Sequence, residues 1–403
     1  MTAGAAAGAG SGEPKLGDIA AEAGLARIHL VAWRDLDDPE AGGSELHADR
    51  VASLWAQAGI QVTMRTSAVP GQPAVVERSG YRVVRRSGRY AVFPAAALSG
   101  LAGPSRLSRL SARDGLVEIW NGMPFLSPLW HRGPRSVWLH HVHGEMWQMV
   151  LSPPLLGRAG EVFERRVAPP LYRRSRIVTL SGSSREEIVD QLGMAPERVA
   201  VVPPGVEPRF TPGGERSPRP LVLAVGRLVP VKHFDDLVAA LARLRDRHPG
   251  LEAVIAGEGY ERPRLEREVA RLGAGDWLRL PGRLADDELV DLYRRSWVLV
   301  SASSHEGWGM TVTEAAACGT PAVVTRIVGH VDAVDDGRTG LLVDDPVQLE
   351  AALDRVISDH GLRDRLGAAA RERAAQLTWE ATARGTLQVL AADALARRRR
   401  PRR

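Results

Sequence analysis

Short apolar runs alternate with amphipathic segments along most of the chain. Arg27–Trp33 (RIHLVAW) reads as a buried strand, Ser44–Gly59 as a helix closed by Gly59, and Ile60–Thr66 (IQVTMRT) as the next strand. Ser136–His141 (SVWLHH) and Arg176–Ser181 (RIVTLS) continue the strand series, with a short helix at Arg185–Gly193. Around Val201–Gly214 (VVPPGVEPRFTPGG) proline and glycine cluster and the periodicity disappears, which marks an interdomain linker. A second series then begins. Leu221–Gly226 (LVLAVG), Leu251–Gly259 (LEAVIAGEG) and Trp297–Ser304 (WVLVSASS) read as strands. Phe234, Leu237, Val238, Leu241 and Leu244 share one face of a helix, as do Leu349, Leu353, Val356 and Ile357. Asp286 is placed to cap a helix carrying Leu289, Leu292 and Tyr293. No repeat of fixed period is visible. The pattern is that of an α/β protein with two doubly wound parallel-sheet domains facing a central cleft, and ligands of such sheets bind beyond the carboxyl ends of strands.

Composition changes this picture little. The chain has 403 residues, 44% hydrophobic and 25% charged, an ordinary globular composition with room for two domains. One cysteine, Cys318, excludes an internal disulfide and a cysteine metal cluster, and suits a reducing compartment. The opening MTAGAAAGAGSG lacks basic residues and is interrupted by glycine, so it reads as part of a disordered leader over 1–26 and not as a signal peptide. No apolar run approaches the ~18 residues that span a membrane. The net charge of +5 misleads, because six arginines stand in the last seven residues, RRRRPRR. The rest of the chain is near neutral, and no nucleic-acid surface is implied. The tail Arg397–Arg403 either meets an anionic membrane surface or stays solvated.

Candidate chemistry gathers in the second series. In Ser303–Val324 (SSHEGWGMTVTEAAACGTPAVV) two glutamates, Glu306 and Glu314, bracket seven residues. Glu306 follows a strand, Gly307 and Gly309 allow close backbone approach and positive φ, and a helix is expected to start near Thr311. Glu314 then falls in the first turn, where a carboxylate accepts hydrogen bonds from vicinal hydroxyls or simply complements the helix dipole. Val225–Phe234 (VGRLVPVKHF) places Arg227 just after a strand and Lys232 before a helix, a cation pair suited to a diphosphate.

With Pro39–His47 (PEAGGSELH) and Ile255–Gly259 (IAGEG), these motifs make the chain resemble glycosyltransferase family 4, the group-1 transferases of GT-B fold, from about Arg27 to Leu395. The resemblance implies a donor domain at 218–378, an acceptor-side domain at 27–205, a linker at 206–217, a C-terminal helix at 379–395 packing back on the N-terminal domain, and a basic tail at 396–403. It also implies transfer from a nucleotide-diphosphate sugar, with retention, to a saccharide, lipid-linked or small-molecule hydroxyl. Arg227 and Lys232 would hold the diphosphate, Glu314 the ribose and Glu306 the transferred sugar. Backbone amides of Trp308, Gly309, Met310 and Thr311, beside Gly307, would meet sugar hydroxyls and phosphate; family members often carry Phe where Trp308 stands. Gly257, Gly259 and Arg283 would border the base. His140 or His141 would lie close to the reacting carbon.

Gly42 and Gly43 precede a helix that Ser44 is placed to cap, and would form a phosphate and acceptor loop. Asp35–Asp37 (DLD) mimics a metal motif but reads as loop charge or acceptor contact. Trp33 and Trp120–Phe125 (WNGMPF) either stack on an acceptor sugar or pack. The clustered His140, His141 and His143 lack the spacing of a metal site. No cofactor and no metal are expected, and action is expected in the cytoplasm, with the inner membrane face as an alternative station. A nucleotide-sugar 2-epimerase or a non-catalytic sugar-nucleotide-binding subunit of the same fold are the rival readings.

Overall fold

The computed structural model describes residues 13–101, 113–144, 146–150 and 154–399. It contains two sheets. The first has eight strands, in spatial order Val75–Arg78, Tyr81–Arg85, Gln61–Thr66, Arg27–Val31, Gly115–Trp120, Arg135–Leu139, Arg176–Thr179 and Val199–Val201. Arg27–Val31 pairs in parallel with both of its neighbours, while the edge hairpin Val75–Arg78/Tyr81–Arg85 is antiparallel and turns at Ser79 and Gly80, both with positive φ. The second sheet has six strands in the order Leu278–Gly282, Glu252–Ala256, Leu221–Val225, Val298–Ser301, Ala322–Thr325 and Gly340–Val343, all paired in parallel.

The apolar runs become central strands because both of their faces are covered. In Leu221–Val225, Val222 and Ala224 join a core with Leu237, Val238, Leu241 and Leu244 of the helix Phe234–Arg247. Leu221 and Leu223 point the other way, into a core with Tyr293, Val312 and Ala315.

By contact, the described residues form two compact units. One comprises those within Met1–Ile119, Pro124–Trp138 and Ala383–Arg403; the other comprises those within Trp120–Met123 and Leu139–Thr382. Residues 139–205 thus belong by sheet to the first series and by contact to the second unit, where the expected boundary at 205 had set them apart. Within the second unit Gly182 N and Ser183 N donate to Asp332, at 2.8 and 3.1 Å, and Gly205 lies against Thr378 and Trp379. In the first unit Trp55 Nε1 donates to Ala383 O of the helix Trp379–Arg398 at 2.9 Å, and Arg135 N donates to Asp393 at 3.0 Å.

Several local expectations are corrected. The leader is not uniformly disordered: Leu16–Ala23 is a helix that buries Ile19, Ala20 and Ala23 and ends at Gly24, while residues 1–12 lie outside the described residues. Ser44 does not cap its helix, which runs Gly43–Gln57 from Gly42, whose N–H donates to Glu45 at 2.8 Å. Asp286 likewise sits inside the helix Asp286–Arg295, and Glu288 accepts from Ala285 N at 3.0 Å. In both cases a glutamate three residues on reaches back to the cap, a device that replaces a capping hydroxyl or carboxylate. The tail residues Arg397 and Arg398 belong to the last helix and are held, Arg397 by Asp393 and Arg132 O, Arg398 by Glu22 O; residues 400–403 lie outside the described residues. No helix among the described residues is long and apolar enough to cross a membrane.

Candidate active site

Numbered along the chain, the six-stranded sheet has the order 3-2-1-4-5-6, and its winding reverses between Leu221–Val225 and Val298–Ser301. The carboxyl ends of strands at such a reversal are the general ligand position of doubly wound sheets. Arg227 and Lys232 leave the first strand, and His305–Gly309 leave the second. Ser304 N donates to Val231 O at 2.9 Å and joins the two loops. Lys232 Nζ donates to Glu306 Oε1, which also accepts from Ser303 Oγ at 2.9 Å. Burial alone would raise the Glu306 carboxyl, but the charges of Lys232 and His330 and the two hydrogen bonds outweigh it and hold Glu306 below its ordinary value. Glu306 is therefore ionised at neutral pH.

The glycines of the two motifs serve backbone approach. A Cβ on Gly257 would stand 1.8 Å from Gly226 O, and one on Gly259 2.2 Å from Leu228 O, so only glycine lets the loop after Glu252–Ala256 lie on the Arg227 loop. Gly307 packs on His140 O, where a Cβ would come within 2.8 Å. Gly309 takes φ 103° and caps the helix Met310–Ala317. That helix starts one residue before Thr311, so Glu314 lies in its second turn and not its first.

The Glu314 carboxylate is held from the side, accepting from Tyr293 Oη at 2.7 Å. Burial pushes it up to about 7; the Tyr293 hydrogen bond opposes this and Glu207 adds to it. Trp308 is buried, and its Nε1 has no hydrogen-bond partner among the described residues. Arg283 is exposed just after Leu278–Gly282.

Four histidines meet this region, His140, His141, His143 and His305. The rings of His141 and His143 stack at 4.8 Å, and His305 stands edge-on to His141 at 5.2 Å. Burial pushes His140 down to about 4 and His143 down to about 3, and holds His141 well below its ordinary value; the positive charge of Arg227 is among the further causes for His141 and His143. All three are neutral at pH 7. Glu164 orders the turn beneath them, accepting from His143 N and Gly144 N at 3.1 Å and from Trp147 Nε1 at 3.0 Å. The histidine nitrogens do not converge as ligands: among the described residues the one such group of three is His233, Asp235 and Asp236, on the surface side of the Lys232 turn.

The first unit holds most of the remaining sequence candidates. Asp35 and Asp37 lie in the loop after Arg27–Val31, as charges engaged by arginines. Asp35 is buried and accepts from Arg85 Nε and Nη2 at 2.8 and 2.9 Å and from Thr66 Oγ1 at 3.0 Å; Asp37 pairs with Arg78 at 2.6 Å and with Arg85. Burial would raise Asp35, yet Arg85 and these hydrogen bonds hold it below its ordinary value. The tryptophans pack. Trp33 donates to Arg89 O at 2.7 Å beneath the Arg34 and Arg89 guanidiniums, and Phe125 lies 4.6 Å from Phe93. In the second unit Trp120 is buried against Tyr172 at 4.9 Å.

Sequence reasoning missed three groups. Tyr293 had read as an apolar face residue, although a tyrosine hydroxyl buried on a helix face needs a partner. His330 is buried with Nδ1 2.9 Å from Thr325 O and Nε2 without a partner among the described residues, beside Gly309; nothing in the motif spacing pointed to it. Glu187, pushed up to about 7 by burial, accepts from Val142 N at 3.4 Å and stands 3.9 Å from His305 Nε2.

Residues 207–373 match the glycosyl transferases group 1, and residues 41–210 match glycosyltransferase family 4. A D-inositol 3-phosphate glycosyltransferase of Streptomyces bingchenggensis is 32% identical over 407 aligned positions, taking in 90% of this chain and 88% of that one. Sucrose-phosphate synthase from Thermosynechococcus elongatus superposes with a TM-score of 0.75 at 22% identity, covering 89% of this chain and 96% of that one. Anabaena HepE in complex with UDP-glucose superposes with a TM-score of 0.67 at 18% identity, covering 92% and 99%. Both likenesses are of fold, the GT-B type with two parallel-sheet α/β domains.

Proposed function

Because the chain belongs to glycosyltransferase family 4, the group-1 glycosyl transferases, we propose that it moves a sugar from a nucleotide-diphosphate sugar to a hydroxyl acceptor, with retention of configuration and without a divalent metal. The observation that carries this reading is the meeting of Lys232 and Glu306 at the reversal point of the six-stranded sheet, with Arg227 on the same strand-end loop as Lys232. An ammonium has three donors; one goes to Glu306 and leaves two for phosphate oxygens. As the bond from the sugar to the diphosphate breaks, negative charge grows on the leaving phosphate, and Lys232 with the Arg227 fork stabilises it. Glu306, ionised, accepts from hydroxyls of the transferred sugar. Glu314, with Tyr293 on one oxygen, offers the other to the ribose. His140 and His141, neutral at pH 7, act as hydrogen-bonding walls of the sugar site and not as cations. The acceptor's proton goes to the departing phosphate, since the site does not flank the reacting carbon with two carboxylates as glycosidases do.

HepE holds UDP-glucose, so a donor screen begins with UDP sugars; the Streptomyces relative is named for inositol 3-phosphate, so inositol phosphates are the first acceptors to try. A single buried thiol, Cys318, suits a reducing compartment, and the cytoplasm is the expected place of action.

The test uses the donor that a thermal-shift screen selects. Activity should survive excess chelator. Lys232→Ala should cut turnover about 10²–10³-fold while costing donor binding less, because the charge it meets grows in the transition state. Arg227→Lys should also be impaired, since a point charge cannot reproduce the fork. If chelator abolished activity, a divalent ion restored it and Lys232→Ala were nearly silent, the mechanism would be wrong and His233, Asp235 and Asp236 would become the metal candidates.

A further inference from the structure

Residues 154–174 form a helix, Pro154–Val162, a π-helical turn, Phe163–Val167, and a short helix, Pro169–Tyr172. An ordinary surface helix turns its large apolar side chains to the core and its polar ones to water. Here the arrangement is reversed. The inward positions are Gly157 and Gly160, where a Cβ would stand 2.9 Å from Trp147 O and 2.6 Å from the Trp147 ring. The outward ones include Leu155, Leu156 and Val162, at 74%, 52% and 51% exposure, and Val167 and Leu171 of the next turns are exposed as well. Every other exposed residue of the segment is alanine, proline or arginine, the arginines being Arg158, Arg165, Arg166, Arg173 and Arg174.

Both carboxylates of the segment are withdrawn from this face. Glu164 is buried beneath the His143 turn, and Glu161 is matched by Arg165 and Gln148 at 3.1 Å each. Arg158, Arg166, Arg173 and Arg174 make no ion pair among the described residues. A contiguous apolar face of this kind marks an interaction surface, and its charge selects the partner. A second copy docked on the same face about a two-fold axis would set arginine against arginine. A bilayer with anionic lipid supplies apolar depth and negative charge together.

We propose that residues 154–174 are a membrane-docking face, seating Leu155, Leu156 and Val162 in the interfacial layer of an anionic bilayer with the arginines on head-group phosphates. This goes beyond glycosyl transfer and does not depend on it. It also differs from a role for the arginine tail, of which Arg397 and Arg398 are already engaged within the protein.

Flotation of the full chain with vesicles tests it, using phosphatidylcholine alone and phosphatidylcholine mixed with phosphatidylglycerol. Binding is expected to the mixed vesicles and to weaken with added salt. Leu155→Ser/Leu156→Ser should abolish it. Arg166→Gln and Arg173→Gln should each weaken it roughly five-fold, the equivalent of about 1 kcal/mol per cation at an anionic surface. The altered side chains are exposed, so an unchanged melting temperature shows that the variants fold. Failure to bind the mixed vesicles overturns the proposal. So does binding that the leucine variant retains, or that deletion of residues 400–403 alone removes. An oligomer that the leucine variant breaks, without vesicle binding, would give the face to a second copy and overturn it equally.

Discussion

Two glutamates eight positions apart stand in opposite electrostatic situations. Glu306 lies against Lys232 and is held ionised, whereas Glu314, with a tyrosine hydroxyl and the charge of Arg209 against its burial, is pushed up to about 7. If Glu314 holds the ribose, Glu314→Ala should weaken free nucleotide diphosphate and donor alike. Glu306→Ala should spare the free nucleotide and chiefly lower turnover. Each charged hydrogen bond contributes about 1.5–3 kcal/mol, so ten-fold effects or larger are expected; equal losses of nucleotide affinity in both variants would sink the division. The pH dependence follows in sign. Ribose hydroxyls favour the ionised Glu314, so binding releases a proton, and nucleotide affinity should rise with pH and level off above about 7. Calorimetric titration across that range should show the rise in the parent and a flat profile in Glu314→Gln.

At the scale of elements, the site depends on how closely strand-end loops can stack. Gly259 meets Leu228 O where a Cβ would stand 2.2 Å away, while Gly275, in the turn before Leu278–Gly282, meets nothing within 4 Å. Gly259→Ala should therefore destabilise by roughly 1–3 kcal/mol in urea melts, the range for overpacking, and Gly275→Ala should be nearly neutral. The strands and the apolar helix faces were legible because they are periodic. Helix starts were misread by one or two residues where Glu45 and Glu288 reach back to their caps. The edge hairpin at Ser79–Gly80 was not read at all, although a two-residue turn between Val75–Arg78 and Tyr81–Arg85 is a local signal.

Across the whole molecule, buried titratable groups pull stability in opposite directions with pH. His131, His140 and His143, at about 4, 4 and 3, are neutral when folded and take up protons on unfolding, so they cost stability as pH falls below about 6.5. Glu187 and Glu314, both near 7, are protonated when folded and release protons on unfolding, so they add stability as pH falls from about 7 to 4.5. The two sets oppose each other. In Glu187→Gln/Glu314→Gln the opposing contribution of these two carboxyls is gone, and the melting temperature should drop more steeply on acidification from pH 6.5 to 4.5 than in the parent. The C-terminus offers a second global test. Deleting 397–403 removes the contacts to Asp393, Arg132 O and Glu22 O and should lower the melting temperature, while nucleotide affinity stays unchanged. A loss of affinity would show that the last helix reaches the site.

By itself the sequence determined the two α/β series, the positions of Arg227, Lys232 and Glu306 in strand-end loops, the helix that carries Glu314, and the family resemblance. Period, apolar runs and short spacings are one-dimensional quantities that a chain carries wherever it folds. Tertiary structure decided the rest. Lys232 meets Glu306 from 74 residues away only because Leu221–Val225 and Val298–Ser301 became neighbours. The same ordering put Tyr293 on Glu314, His330 beside Gly309 and Arg85 on the Asp35–Asp37 pair. It also turned the leucines of Pro154–Val162 outward, because Gly157 and Gly160 were the residues small enough to lie against Trp147. Such pairings are set by strand order and by which face has room, and neither is written in the spacing of residues along the chain.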